Sequence, residues 1–192
     1  RCAVRLGFGH PRTPGEFDIT DHVSPGTNLL AVEVYRWCDG SWFEDQDFWR
    51  LAGVFRDVFI WSPAASHVRD FEVDVDLDDA YRDATLSVTC EVEEPAGRRV
   101  EYELLDGNGQ KVVSGSSAAA GASWQTGVSA PELWNAESPS LYTLLITLVG
   151  PGGRAEEVIP CRVGFRKVQI KGEVFLVNGV PVDALSIIVH RD

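Results

Sequence analysis

Residues 68–77 read Val68-Arg-Asp-Phe-Glu-Val-Asp-Val-Asp-Leu77, with Phe71, Val73, Val75 and Leu77 on one side and Glu72, Asp74 and Asp76 on the other. Successive side chains of an extended chain point to opposite faces, so this period of two marks a strand with one buried and one wet face. Residues 84–92 repeat the pattern with Leu86, Val88 and Cys90. Further on, residues 100–105 and 111–114 flank Asp106-Gly-Asn-Gly109, and residues 141–149 and 157–163 flank Gly150-Pro-Gly-Gly153. Both four-residue runs are hairpin signals, because glycine takes the positive φ that tight β-turns demand. The Gly-, Ala- and Ser-rich residues 114–123 read as a flexible connection or a weak edge strand. Seven or so short strands with regularly spaced turns predict an immunoglobulin-like β-sandwich.

In the other direction, Ser62-Pro-Ala-Ala-Ser66 reads as a boundary. Before it, residues 4–8 form a short strand candidate and His10-Pro-Arg-Thr-Pro-Gly15 is rich in breakers. Pro25-Gly26 predicts a turn, and Leu30, Val32 and Val34 alternate with Ala31, Glu33 and Tyr35 as in a half-buried strand. Residues 54–61 alternate again. Arg1 opens in what reads as mid-strand, so a natural start is not expected there.

The 192 residues suffice for one large domain or two small ones, and 44% hydrophobic with 24% charged residues is ordinary globular composition. A net charge of -12 argues against a nucleic-acid partner, because phosphate binding wants clustered Lys and Arg. No apolar run approaches the roughly 20 residues of a membrane span, so no membrane partner is expected. Cys2, Cys38, Cys90 and Cys161 are scattered and form no C-x-x-C pair, which argues against zinc and against an antibody-type disulfide. Small reduced apolar cysteines fit a cytoplasmic protein.

Between the two alternating stretches of the first part lies Trp37-Cys-Asp-Gly-Ser-Trp-Phe-Glu-Asp-Gln-Asp-Phe-Trp-Arg-Leu-Ala-Gly-Val-Phe-Arg-Asp-Val58. Five aromatics and four carboxylates crowd into residues 37–49. A loop of that composition either buries its rings or presents them to a ligand, and sugars suit the second option through ring stacking and carboxylate hydrogen bonds. Composition leaves both readings open.

With Arg36 before it, the run closely resembles the matching segment of the large bacterial β-galactosidases of glycoside hydrolase family two. Its Gly53-Val-Phe-Arg-Asp-Val58 part is shared more widely, β-glucuronidases included, whereas Glu44-Asp-Gln-Asp47 points to the galactosidases. Glu16-Phe-Asp-Ile-Thr20, Leu133-Trp-Asn-Ala-Glu-Ser-Pro-Ser-Leu-Tyr142, Val163-Gly-Phe-Arg-Lys-Val168 and Phe175-Leu-Val-Asn-Gly-Val-Pro-Val182 are similar to further segments of the same enzymes. The resemblance implies an all-β chain: residues 1–63 as the C-terminal part of a sugar-binding, galactose-binding-like jelly roll, residues 66–165 as the immunoglobulin-like sandwich, and residues 166–192 as the lead-in to a TIM-barrel catalytic domain. A jelly roll normally has about eight strands, so part of the first sheet is expected to lack neighbours.

Retaining glycosidases need an acid and a nucleophilic carboxylate about 5 Å apart, and the family carries both as barrel glutamates. No catalytic residue is therefore expected here. By resemblance Asp47 contacts the sugar and a sodium ion, and His190 also contacts the sugar. After Val182 the match breaks down: Leu185, Ser186 and Ile188 stand where the family has Arg, Gly and Asn beside that histidine. The segment requires no cofactor of its own, while sodium and magnesium are implied for the parent enzyme. Its expected partners are a β-galactoside and the remainder of the parent chain, and a homo-oligomeric parent is compatible with the resemblance. Two alternatives stay open: a stand-alone carbohydrate-binding or protein-interaction module, and a segment of a β-glucuronidase or β-mannosidase.

Overall fold

The computed structural model describes residues 16–37, 53–54 and 57–182, which belong to two compact units, Arg1–Ile60 and Trp61–Asp192. In the first unit the described backbone is extended and irregular apart from one 3-10 turn, Thr20–His22. Asp18 starts that turn by accepting the Thr20 N–H at 2.9 Å, and hydrogen bonding to Thr20 holds its carboxyl below the usual carboxylate range. Pro25-Gly26 makes the expected turn. Proline presets one φ, Gly26 takes φ 97°, and the Asn28 carboxamide clips the loop to Ser24 N–H at 3.0 Å and Ser24 C=O at 2.8 Å.

The strands expected over residues 30–35 and 54–61 do not form in the described residues. Leu30, Val32 and Val34 are 54%, 55% and 50% exposed, and Val58, Phe59 and Ile60 are exposed as well. Alternation says which face would be buried, but an extended segment becomes a strand only when a neighbour takes up its N–H and C=O groups. Among the described residues, neither segment belongs to a sheet. The candidate strand at residues 4–8 lies outside the described residues.

The second unit is all β. Its strands are β1 (His67–Leu77), β2 (Ala84–Glu93), β3 (Arg99–Leu105), β4 (Lys111–Ala118), β5 (Ser123–Val128), β6 (Tyr142–Val149), β7 (Ala155–Val163), β8 (Val168–Lys171), β9 (Val174–Val177) and β10 (Val180–Pro181). They form three antiparallel sheets in the orders β1-β2-β5, β4-β3-β6-β7 and β10-β9-β8. The first two close over one core, giving the seven-stranded sandwich. Val75 pairs with Leu86 in one sheet, and Tyr102 with Ile146 and Leu104 with Leu144 in the other. Leu77, Leu86, Val100, Tyr102, Leu104, Leu144, Ile146, Leu148 and Phe165 fill the space between. Each such aliphatic or phenylalanine side chain contributes roughly 1.5–3 kcal/mol by leaving water.

Both hairpin signals are borne out. Asp106 Oδ1 accepts Asn108 N–H at 2.9 Å and Gln110 N–H at 2.8 Å, closing the β3–β4 turn from inside. At the β6–β7 turn Gly153 N–H donates to Gly150 C=O at 2.9 Å. Residues 114–118 complete edge strand β4, and Gly115 leaves room for the Trp124 indole, which stacks on Tyr102 with centroids 5.1 Å apart. Trp124 belongs to β5, a strand the sequence reading passed over. Among the described cysteines, Cys90 and Cys161 are free, and burial raises the Cys90 thiol. No helix among the described residues is long and apolar enough to cross a membrane.

Candidate functional site

Asp47 and His190, the two expected sugar contacts, lie outside the described residues, as do Glu44, Asp45 and Gln46. Among the described residues, no three His, Cys, Asp or Glu side chains gather as a metal site would require. Polar side chains do converge at one place, where the chain leaves the sandwich and enters the small sheet β8–β10.

The centre of that place is the two-residue turn between β9 and β10. Asn178 and Gly179 both take positive φ, 51° and 76°, the signature of the type I′ turn whose twist suits a hairpin. Asn178 fills the position with a side chain that works. Its Oδ1 accepts Lys167 N–H at 2.9 Å, its Nδ2 donates to Trp134 C=O at 3.0 Å, and its backbone N–H donates to Lys167 C=O at 2.9 Å. One carboxamide thus ties three chain segments together.

The loop joining β1 to β2 grips the same turn from another side. Tyr81, itself at φ 55°, lays its ring against Gly179 so closely that a Cβ there would sit 2.5 Å from the ring edge. Its hydroxyl donates to Gln169 Oε1 at 2.7 Å and accepts from Lys171 Nζ at 3.2 Å. Lys167 reaches back to the end of β1, where Nζ donates to Leu77 C=O at 2.6 Å and pairs with Asp76 Oδ1 at 2.9 Å. The Asp76 carboxylate raises the Lys167 ammonium above its ordinary value. The loop itself is stiffened by Asp78, whose Oδ1 accepts Arg82 N–H at 2.7 Å, a bond that lowers the carboxyl.

A second set of contacts braces the rim. Leu133 bridges Phe165 in parallel, and Trp134 N–H donates to Phe165 C=O at 2.8 Å. Trp134 packs on the Cα of Gly164 and carries the Arg166 guanidinium 4.5 Å above its ring, so it sits at the sandwich edge rather than between the sheets. Tyr142 does enter the core, edge-on to Phe165, and its hydroxyl accepts Glu132 N–H at 3.0 Å.

This arrangement is built to hold the chain rather than to hydrolyse a substrate. The groups that meet at the turn are already engaged with one another, and none is a nucleophile or a carboxyl poised for proton transfer. Its chemistry is that of a clamp fixing the direction in which the chain leaves the sandwich. Sequence reasoning missed Tyr81, Lys167, Gln169 and Lys171. The Asn-Gly pair was a signal for the turn, but no local pattern marks the partners, because the contacts that Gln169, Lys167 and Lys171 make with Tyr81 and Leu77 span 88–90 residues.

Comparison with known proteins agrees with this architecture. The family model described as "Glycosyl hydrolases family 2, sugar binding domain" matches residues 5–63, and that described as "Glycosyl hydrolases family 2" matches residues 66–166. The chain is 41% identical over 179 residues to a β-galactosidase of Priestia megaterium, covering 87% of this chain and 17% of that protein. It is 41% identical over 168 residues to a β-galactosidase of Actinobacillus pleuropneumoniae, covering 87% and 16%. Among solved structures, a Bifidobacterium dentium β-glucuronidase complexed with coumarin-3-O-glucuronide superposes with a TM-score of 0.57 at 26% identity, covering 62% of this chain and 21% of that one. A Lactobacillus rhamnosus β-glucuronidase gives 0.53 at 28%, covering 61% and 18%. The chain thus spans about a sixth of the curated relatives it matches. With more than half of its length under one family model and a sandwich of matching extent, the chain belongs to glycosyl hydrolase family 2.

Proposed function

We propose that this chain is the non-catalytic, scaffold- and subsite-supplying segment of a β-galactosidase, a cytoplasmic enzyme whose complete form removes terminal non-reducing β-D-galactose with retention. The observation that carries this reading is identity of 41% to β-galactosidases across 87% of the chain, against 26% across 62% for the glucuronidase structure. Residues 1–63 act as part of the sugar-binding domain, residues 66–165 as an inter-domain spacer, and residues 166–192 as the start of the barrel. The carboxylic acid and nucleophile of the retaining reaction are assigned to the barrel.

In this reading Asp47 and His190 touch the galactose. Asp47 offers sodium the hard oxygen ligand that such a cation prefers, and a carboxylate that accepts hydrogen bonds from sugar hydroxyls. One carboxylate is not a complete site, so the other ligands, and those of any magnesium ion, are assigned to the rest of the parent. The Asn178 clamp supports the same reading, because it fixes the exit of the sandwich toward the segment that would enter the barrel.

The test is hydrolysis of a chromogenic β-galactoside by the purified 192-residue chain with sodium and magnesium present. The expected result is no turnover alone and turnover on adding the remaining polypeptide of the parent. Turnover by the chain alone, lost in Asp47→Ala, would overturn the assignment. A second reading, a β-glucuronidase segment, rests on the solved structures that resemble the sandwich. Preference of the complete protein for a chromogenic β-glucuronide over the β-galactoside would establish it instead.

A further inference from the structure

The sequence contains two Asn-Gly dipeptides, Asn108-Gly109 and Asn178-Gly179. This pair is chemically special because glycine, lacking Cβ, leaves its backbone nitrogen free to approach the preceding side chain. That nitrogen attacks the asparagine Cγ, the C–N bond of the carboxamide breaks, and ammonia leaves with a cyclic imide behind. Water then opens the imide at either carbonyl, giving aspartate or isoaspartate. No oxidant, metal or enzyme is involved; the only co-reactant is water.

The fold gives the two dipeptides opposite surroundings. Asn108 lies in the exposed β3–β4 turn. Asp106 accepts its backbone N–H at 2.9 Å and the Gly109 N–H at 3.0 Å, but its exposed carboxamide has no hydrogen-bond partner among the described residues. The Asn178 carboxamide is half-buried and doubly held, by Lys167 N–H and by Trp134 C=O, with the Tyr81 ring packed over Gly179. To react, it must leave both partners and turn toward the Gly179 nitrogen.

We propose that Asn108 is a site of spontaneous deamidation in the folded protein, and that Asn178 is a latent second site, gated by the clamp. Conversion at Asn178 is one-way in its structural effect. It replaces the Nδ2 donor with a carboxylate oxygen facing the Trp134 carbonyl, acceptor against acceptor, and so prevents the clamp from re-forming as before. Conversion at Asn108 leaves a carboxylate in solvent and disturbs only its own turn.

The experiment is incubation of the 192-residue chain at mildly alkaline pH, followed by peptide mass spectrometry resolving the two sites, in buffer and in concentrated urea. In buffer, residue 108 is expected to convert faster than residue 178 by about tenfold or more, since chemistry that needs a local opening is slowed by the fraction open. In urea the two rates are expected to converge. A Tyr81→Ala variant should speed conversion at residue 178 in buffer and leave residue 108 unchanged. Equal rates in buffer would overturn the proposal, as would persistence of the same ratio in urea, which would place the difference in the flanking sequence. An unmodified residue 108 in buffer would also overturn it. The urea comparison needs no variant and decides the matter even where Tyr81→Ala fails to fold.

Discussion

Leu29-Leu-Ala-Val-Glu-Val-Tyr35 and Tyr142-Thr-Leu-Leu-Ile-Thr-Leu-Val149 are similar stretches, both short, apolar and rich in strand formers. The second is β6, hydrogen-bonded to β3 on one side and β7 on the other, with Leu144, Ile146 and Leu148 fully buried. The first has no strand partner among the described residues, and its valines are half exposed. A period of two is therefore a conditional statement. It names the face a strand would bury if two neighbours and a facing layer were supplied, and among the described residues β6 has them while residues 29–35 belong to no sheet.

Substitutions can break that contrast. Ile146→Ala should cost about 2–5 kcal/mol, because the cavity opens in a core that cannot collapse around it, and chemical denaturation of the second unit would measure it. Gly115→Ala should follow at about 1–3 kcal/mol, since the new methyl lands on the Trp124 indole and must push it off Tyr102. A shift of the tryptophan emission would accompany the loss. Tyr142→Phe keeps the ring on Phe165 and leaves Glu132 N–H without its acceptor, an expected loss of about 1 kcal/mol.

Alkaline titration sharpens the contrast without any change of volume. Burial pushes the Tyr102 hydroxyl up to about 12, while its reference value is 10.0. The folded state therefore keeps a proton that the unfolded state gives up, and stability present below pH 10 should fall as the pH rises toward 12. Tyr102→Phe should flatten that part of the pH profile. The smallest effect is expected for Val32→Ala, within about 0.5 kcal/mol, because the side chain is already in water on one side. A loss as large as that of Ile146→Ala would mean that residues 29–35 are a packed strand after all.

Legibility follows the same physics. Residues 68–77 and 84–92, and the turns at 106–109 and 150–153, were readable because one local segment carries both the pattern and its punctuation. Strand β5 was not, for Ser123-Trp-Gln-Thr-Gly-Val128 offers few apolar positions and takes its character from β2 alongside it. The clamp was half readable. Asn178-Gly179 announces a turn, but that its carboxamide meets Lys167 and Trp134, and that Tyr81 covers its glycine, depends on how the sheets bring distant segments together. Asp47 and His190 rest on resemblance alone, since both lie outside the described residues.

The strand orders β1-β2-β5 and β4-β3-β6-β7 also fix a timetable for the nascent chain. Three pairs, β1–β2, β3–β4 and β6–β7, are local hairpins that can close in about 1–10 μs. Pairing β3 with β6 must wait for distant chain, and such non-local steps set folding times of about milliseconds to seconds. During synthesis the wait is longer. Val149 follows Glu93 by 56 residues, which at about 5–20 residues per second takes several seconds. Throughout that interval the inner face of β1–β2, with Leu86 and Val88, meets at most the β3–β4 half of the opposing sheet. Those two side chains, fully buried in the finished sandwich, are therefore core surface that stays only partly covered until β6 has been made.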